Sequence, residues 1–134
     1  MRIVLDASVA VAAARRREPA HARSRLRVTR ILRGLDDFVV PALFPVEVGA
    51  ALARAGAELA AVRAYVESLV GAADRIVPLG SRAARHARET AMRWHLRAAD
   101  AIYVSLAVRE GLPLCTLDQE VLDRAGGACR VIRP

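Results

Sequence analysis

Apolar residues along this chain follow two alternating patterns. Short continuous runs, "RIVL" (2–5), "DFVVP" (37–41), "RIVPL" (75–79), "PLCTL" (113–117) and "CRVI" (129–132), have the length of buried strands and are rich in Val, Ile and Leu. Between them, apolar positions recur every three or four residues, the period of a helix with one buried face. Those stretches predict helices over 8–14, 21–35, 43–55, 57–70, 81–94, 98–109 and 119–124, with Gly56, Gly71 and Gly111 ending three of them. In 21–35, Val28, Ile31, Leu32 and Leu35 form the apolar face, and Arg23, Arg27 and Arg30 form a basic stripe elsewhere. In 98–109 the face to be buried is Ala99, Ile102, Tyr103, Leu106 and Ala107.

Strands alternating with helices predict an α/β fold of three layers, a central parallel sheet of about five strands with helices on both faces. No repeat, linker or low-complexity tract interrupts the pattern. The 134 residues suit a single domain, 1–134, with one core. In such folds ligands sit beyond the carboxyl ends of the strands, where the strand order reverses.

Composition refines this picture in three places. Apolar residues make up 54% of the chain but aromatics only 4%, so Ala, Val, Leu and Ile must fill the core. No apolar run approaches the ~18 residues of a membrane span. The opening "MRIVLDASVAVAAARRR" loosely mimics a signal peptide, but Asp6 breaks the apolar region and the Arg cluster follows it, so a cytoplasmic protein is expected. Cys115 and Cys129 lie in apolar stretches and read as buried thiols; neither has the close partners a metal pair wants.

The net charge of +7 is local. Between Arg15 and Arg33 stand eight Arg and one Glu, and elsewhere thirteen Arg balance thirteen acids. All 21 basic residues are Arg, whose planar fork suits phosphate, so nucleic acid is a natural partner, although a GC-rich coding bias gives the same Lys-free composition. The stripe Arg23, Arg27, Arg30 is the candidate RNA track, with Arg15 to Arg17 beside it. Trp94, at a helix end, is expected to pack against the core rather than stack on a base.

Four acids stand where a buried or half-buried carboxylate needs a reason. Asp6 ends the run "RIVLD" and Asp118 ends "PLCTLD". Glu47 follows Pro45, a residue suited to the first helical position, so Glu47 is expected in a first turn between Val46 and Val48. Asp100 opens the helix of "LRAADAIYVSLA". Each alone is ordinary cap or turn chemistry. Parallel strands, however, bring strand ends and the following helix starts to one edge, so the four can converge. Gathered carboxylates repel one another, and a hard divalent cation, Mg²⁺ or Mn²⁺, resolves the conflict. The three scattered His and the Cys spacing do not suit zinc. A cation held by acids beside an Arg surface suggests phosphodiester hydrolysis.

The segments "IVLDASV", "PALFPVEVGAAL", "LRAADAIYVSLA" and "TLDQEVL", in this order from residue 3 to 122, resemble the PIN-domain family, and most closely its VapC-type toxins of bacterial toxin–antitoxin pairs. The resemblance implies a Mg²⁺- or Mn²⁺-dependent endoribonuclease whose acidic quartet is Asp6, Glu47, Asp100 and Asp118, with the hydroxyls of Ser8 and Thr116 supporting it. It also implies an RNA substrate, a homodimer and a cognate antitoxin that wraps the toxin and occludes its site. One position departs: many relatives have Asn three residues after the Glu, where this chain has Ala50. Phospho-receiver domains need a Lys, and aspartyl phosphatases need an acid where Ser8 stands. The remaining alternative is a non-catalytic RNA- or protein-binding α/β module with a degenerate site.

Overall fold

The computed structural model describes all 134 residues. Its elements are β1 (Arg2–Leu5), α1 (Ala7–Ala14), α2 (His21–Leu32), β2 (Asp37–Pro41), α3 (Leu43–Arg54), α4 (Leu59–Ala72), β3 (Arg75–Val77), α5 (Ser81–Trp94), α6 (Ala98–Glu110), β4 (Leu114–Cys115), α7 (Gln119–Arg124) and β5 (Val131–Ile132). The five strands form one sheet in the order β3-β2-β1-β4-β5, and every pairing is parallel. This is the expected α/β architecture.

β1 lies at the centre because it is apolar on both faces. Ile3, Val4 and Leu5 are fully buried, and Val4 pairs with Val39 on one side and Leu114 on the other. From β1 the chain steps outward through β2 to β3, then crosses back to β4. Parallel crossovers are right-handed, so the two directions put helices on opposite faces. α1 to α4 pack on one another, whereas α5 pairs with α6, which crosses β1, β2 and β4. α6 is buried nearly all round, through Ala101, Tyr103, Val104, Ser105, Leu106 and Ala107. The reversal of strand order falls between β1 and β4, and both strands point their carboxyl ends into the same gap.

Some boundaries differ from the expectation. The basic helix stops at Leu32, because Gly34 takes a left-handed conformation (φ +69°) and turns the chain. Val28 and Ile31 are buried as expected, but Leu32 and Leu35 are 45% and 56% exposed. α4 passes through Gly71 to Ala72, and it begins where the Glu58 side chain caps it, accepting from the backbone N–H of Ala60 and Ala61. Cys115 is buried and Cys129 half-buried, both as free thiols.

The amino edge of the sheet has its own fastening. Asp36, just before β2, has a fully inaccessible side chain. It accepts from Arg30 Nε (2.8 Å) and Nη2 (3.0 Å), Arg27 Nη1 (2.9 Å) and the Met1 amino group (3.2 Å). Arg30 holds its carboxyl well below the usual carboxylate range, against the opposing effect of burial. Two members of the predicted RNA stripe, Arg27 and Arg30, are therefore occupied in holding α2 to β2, at the edge opposite the carboxyl ends of the strands.

Asp36→Asn should destabilise the protein by ~2–3 kcal/mol, since it leaves the half-buried Arg27 without its counter-charge. A depressed folded-state pKa contributes stability that is present above the ordinary carboxylate value and lost as the pH falls below it. Denaturant melts should show the parent converging on the variant as the pH is lowered from 6 towards 3. An undiminished gap at pH 3 would contradict this assignment.

Candidate metal centre

A cleft at the carboxyl edge is lined by Asp6, Ser8, Glu47, Arg54, Arg97, Asp100 and Asp118, among small apolar neighbours that include Ala50. All four predicted acids reach it, each from a different element.

Asp6 leaves the end of β1, with its backbone N–H on the Cys115 carbonyl of β4 (3.0 Å). Its Oδ2 accepts from the hydroxyls of Ser8 and Thr116, both at 2.6 Å. These hydroxyls in turn accept from backbone N–H groups, Ser8 Oγ from Leu117 (3.1 Å) and Thr116 Oγ1 from Asp118 (3.0 Å). The two expected supporting residues thus tie the end of β1 to the loop after β4. Burial raises the Asp6 pKa; the two hydroxyls oppose the rise, and the Asp118 charge adds to it.

Glu47 arrives from the second turn of α3, not the first. The helix begins at Leu43, so Pro45 is its third residue, where a missing N–H still costs no intrahelical bond. The Tyr103 hydroxyl donates to Glu47 Oε2 at 2.6 Å. Burial raises the Glu47 pKa, with Asp6 and Asp100 adding to the rise and Tyr103 opposing it. Ala50, one turn further on, offers the cleft only a methyl group.

Asp100 lies in the first turn of α6, as expected. Its pKa is raised by burial and then by Asp118, and Arg97 partly offsets this. Asp118 caps α7, accepting from the Val121 N–H at 3.1 Å through Oδ1. Its other oxygen accepts from Arg97 Nη2 at 3.0 Å. Arg97 Nε also stands 3.3 Å from Asp100 and 3.2 Å from Glu120, which pairs with Arg124 at 2.7 Å.

The tightest grouping is Asp100, Asp118 and Glu120, whose ligand oxygens lie within 4.8 Å of one another. Asp6 and Glu47 face the same cleft outside that grouping, each with one oxygen held by hydroxyl donors. The donor set fits a hard divalent cation: it is all oxygen, it is mostly carboxylate, and three of its members are disfavoured as anions by their surroundings.

Sequence reasoning missed Arg97, Tyr103 as a Glu47 partner, Glu120 and Arg54. A signal existed for two of them: Arg97, Asp100 and Tyr103 are spaced by three along one helical segment, and a buried Tyr needs a partner for its hydroxyl. The stripe does not come to this cleft; Arg27 and Arg30 serve Asp36, and Arg23 is exposed on α2. Trp94 packs on the core beside Gly127, as expected of it.

The family model of the PIN domain matches residues 3–128, a span that contains every acid of the cleft. This chain belongs to the PIN domain family. No curated protein sequence matches it. Among solved structures, the PIN fold here is similar to Mycobacterium tuberculosis VapC20, described as a sarcin–ricin loop cleaving toxin, with a TM-score of 0.76 and 17% identity over 98% of this chain and 99% of that one. It is similar to FitAcB of Neisseria gonorrhoeae (TM-score 0.72, 20% identity, 98% and 96% covered). It is also similar to VapBC2 of Rickettsia felis, solved on a promoter DNA fragment (TM-score 0.71, 11% identity, 100% and 99% covered).

If the PIN domain's acids mainly repel one another when no metal is present, removing one charge should not weaken the fold. Asp100→Asn should melt in EDTA at the parent's temperature or slightly above it near pH 7. A melting temperature several degrees lower would show that Asp100 stabilises the fold on its own account.

Proposed function

We propose that this PIN domain is a Mg²⁺- or Mn²⁺-dependent endoribonuclease and the toxin half of a VapC-type toxin–antitoxin pair. The observation that carries the reading is the convergence of Asp6, Glu47, Asp100 and Asp118 from four elements on one cleft at the strand-order reversal. The likeness to VapC20, VapBC2 and FitAcB supports the biological setting. By the same analogy, the partners are an RNA substrate, a cognate antitoxin and a second copy of the chain, and the reaction belongs in the cytoplasm. No helix is long and apolar enough to cross a membrane.

In this reading Asp6, Asp100 and Asp118 hold the cation and Glu47 completes the site. A bound divalent cation supplies two things, a lowered pKa for its water and compensation of phosphate charge. The remaining work falls to the chain. Ser8 and Thr116 fix the Asp6 carboxylate by holding one oxygen and leaving Oδ1 to bind. Tyr103 does the same for Glu47, leaving Oε1 free to take a proton from the attacking water. Arg54 and Arg97 at the cleft offer cationic contacts for the phosphates on either side of the cut.

The test is cleavage of a mixed RNA substrate with Mg²⁺ and with EDTA, by the parent and by Asp6→Asn, Glu47→Gln, Asp100→Asn and Asp118→Asn. Cleavage should require the metal, and each variant should lose at least ~100-fold, the usual scale for removing a charge-stabilising or proton-accepting group. Mn²⁺ at 100 times Kd should stabilise the parent by ~2.7 kcal/mol. RNA binding without cleavage, together with a melting temperature that Mn²⁺ leaves unmoved, would instead identify a binding module.

A further inference from the structure

The acidic cleft contains a cation of its own. One guanidinium, that of Arg97, contacts Asp100 (3.3 Å), Asp118 (3.0 Å) and Glu120 (3.2 Å). These three acids are also the ones whose ligand oxygens lie within 4.8 Å of one another, close enough to share a single ion. Arg97 has no other side-chain partner, and its side chain is 68% exposed. Its backbone is fixed as the residue before α6, but no cap bond holds its side chain there. The guanidinium is therefore held by these acids and by nothing else.

We infer that Arg97 is an exchangeable counter-ion: its guanidinium, held by Asp100, Asp118 and Glu120, occupies two of the acids proposed to hold the metal, Asp100 and Asp118, and a divalent metal must displace it to bind. This rests on the reading of the cleft acids as a metal cage. The two cations exclude each other for two reasons. One oxygen of Asp118 already accepts from the Val121 N–H, so the oxygen that accepts from Arg97 is the one left for a metal. A guanidinium left beside a bound dication would also repel it. Displacement is feasible because ion pairs to an exposed Arg are weak and screened by salt, whereas Mg²⁺ and Mn²⁺ favour carboxylate oxygens. Arg97 thereby sets the metal concentration at which the site fills. Arg54 supplies the contrast, for it lines the same cleft and forms no ion pair.

The experiment is a Mn²⁺ titration without RNA, followed by calorimetry and by melting temperature, on the parent, Arg97→Gln and Arg54→Gln. Arg97→Gln should lower the half-saturating Mn²⁺ roughly five- to tenfold, and Arg54→Gln less than about twofold, as expected for a charge acting at a distance. Without metal, Arg97→Gln should melt below the parent, because the acids lose their counter-charge. Unchanged or weaker Mn²⁺ binding by Arg97→Gln would overturn the proposal, and so would an equal gain from Arg54→Gln. Parent and Arg97→Gln binding Mn²⁺ equally well would leave the cage standing and remove only the exchange. Absence of Mn²⁺ binding in all three proteins would remove both.

Discussion

Like charges drawn to one edge of a parallel sheet are the constraint around which this molecule is arranged. Parallel strands leave their carboxyl ends together, and the crossover from β3 back to β4 opens a gap between β1 and β4 at that edge. Asp6 and Asp118 follow the two strands that bound the gap, and Asp100 opens the helix laid across them. Glu47 leans in from α3 on the other face. None of the four can withdraw without moving an element of the core. Repulsion is relieved locally instead: hydroxyls hold one oxygen of Asp6 and one of Glu47, and Arg97 bridges Asp100 and Asp118.

The opposite edge treats a buried acid differently. Asp36 is less accessible than any acid of the cleft, yet two guanidiniums and an amino group surround it and stabilise its charge. Asp6, nearly as buried, receives only neutral donors and is disfavoured as an anion. The two carboxylates show why burial alone does not mark function. A buried acid with a full set of cations is a fastening. One with hydroxyls and neighbouring acids is incomplete until a cation joins it.

Much of this was legible in the chain. The alternating patterns located all five strands and all seven helices, and their α/β order implied where strand ends would meet. The errors have local causes. The basic helix ended early because Gly34 turned left-handed, and Glu47 fell one turn deeper because α3 began ahead of Pro45. The Arg stripe has a structural use that the pattern did not disclose. Helical spacing correctly put Arg27 and Arg30 together, but nothing in the period shows that Asp36 folds back beneath them. Tyr103 and Arg97 were hidden for the converse reason. Each belongs to a recognisable helical position, core face and helix start, and only the folded chain reveals the carboxylates they serve, Glu47 for Tyr103 and Asp100, Asp118 and Glu120 for Arg97.

The joint between α5 and α6 has a further consequence. His95 ends α5 in a left-handed conformation, and its carbonyl accepts from Arg124, the same side chain that pairs with Glu120. Trp94, the residue before it, lies so close to Gly127 that a Cβ there would come within 2.6 Å of the indole, and Arg93 sits over the ring at 5.6 Å. It is the only tryptophan in the chain. The protein therefore contains a single indole, excitable apart from its two tyrosines and linked through Arg124 to the rim of the acidic cleft, and the colour and intensity of its emission provide an optical gauge of that joint without any attached dye.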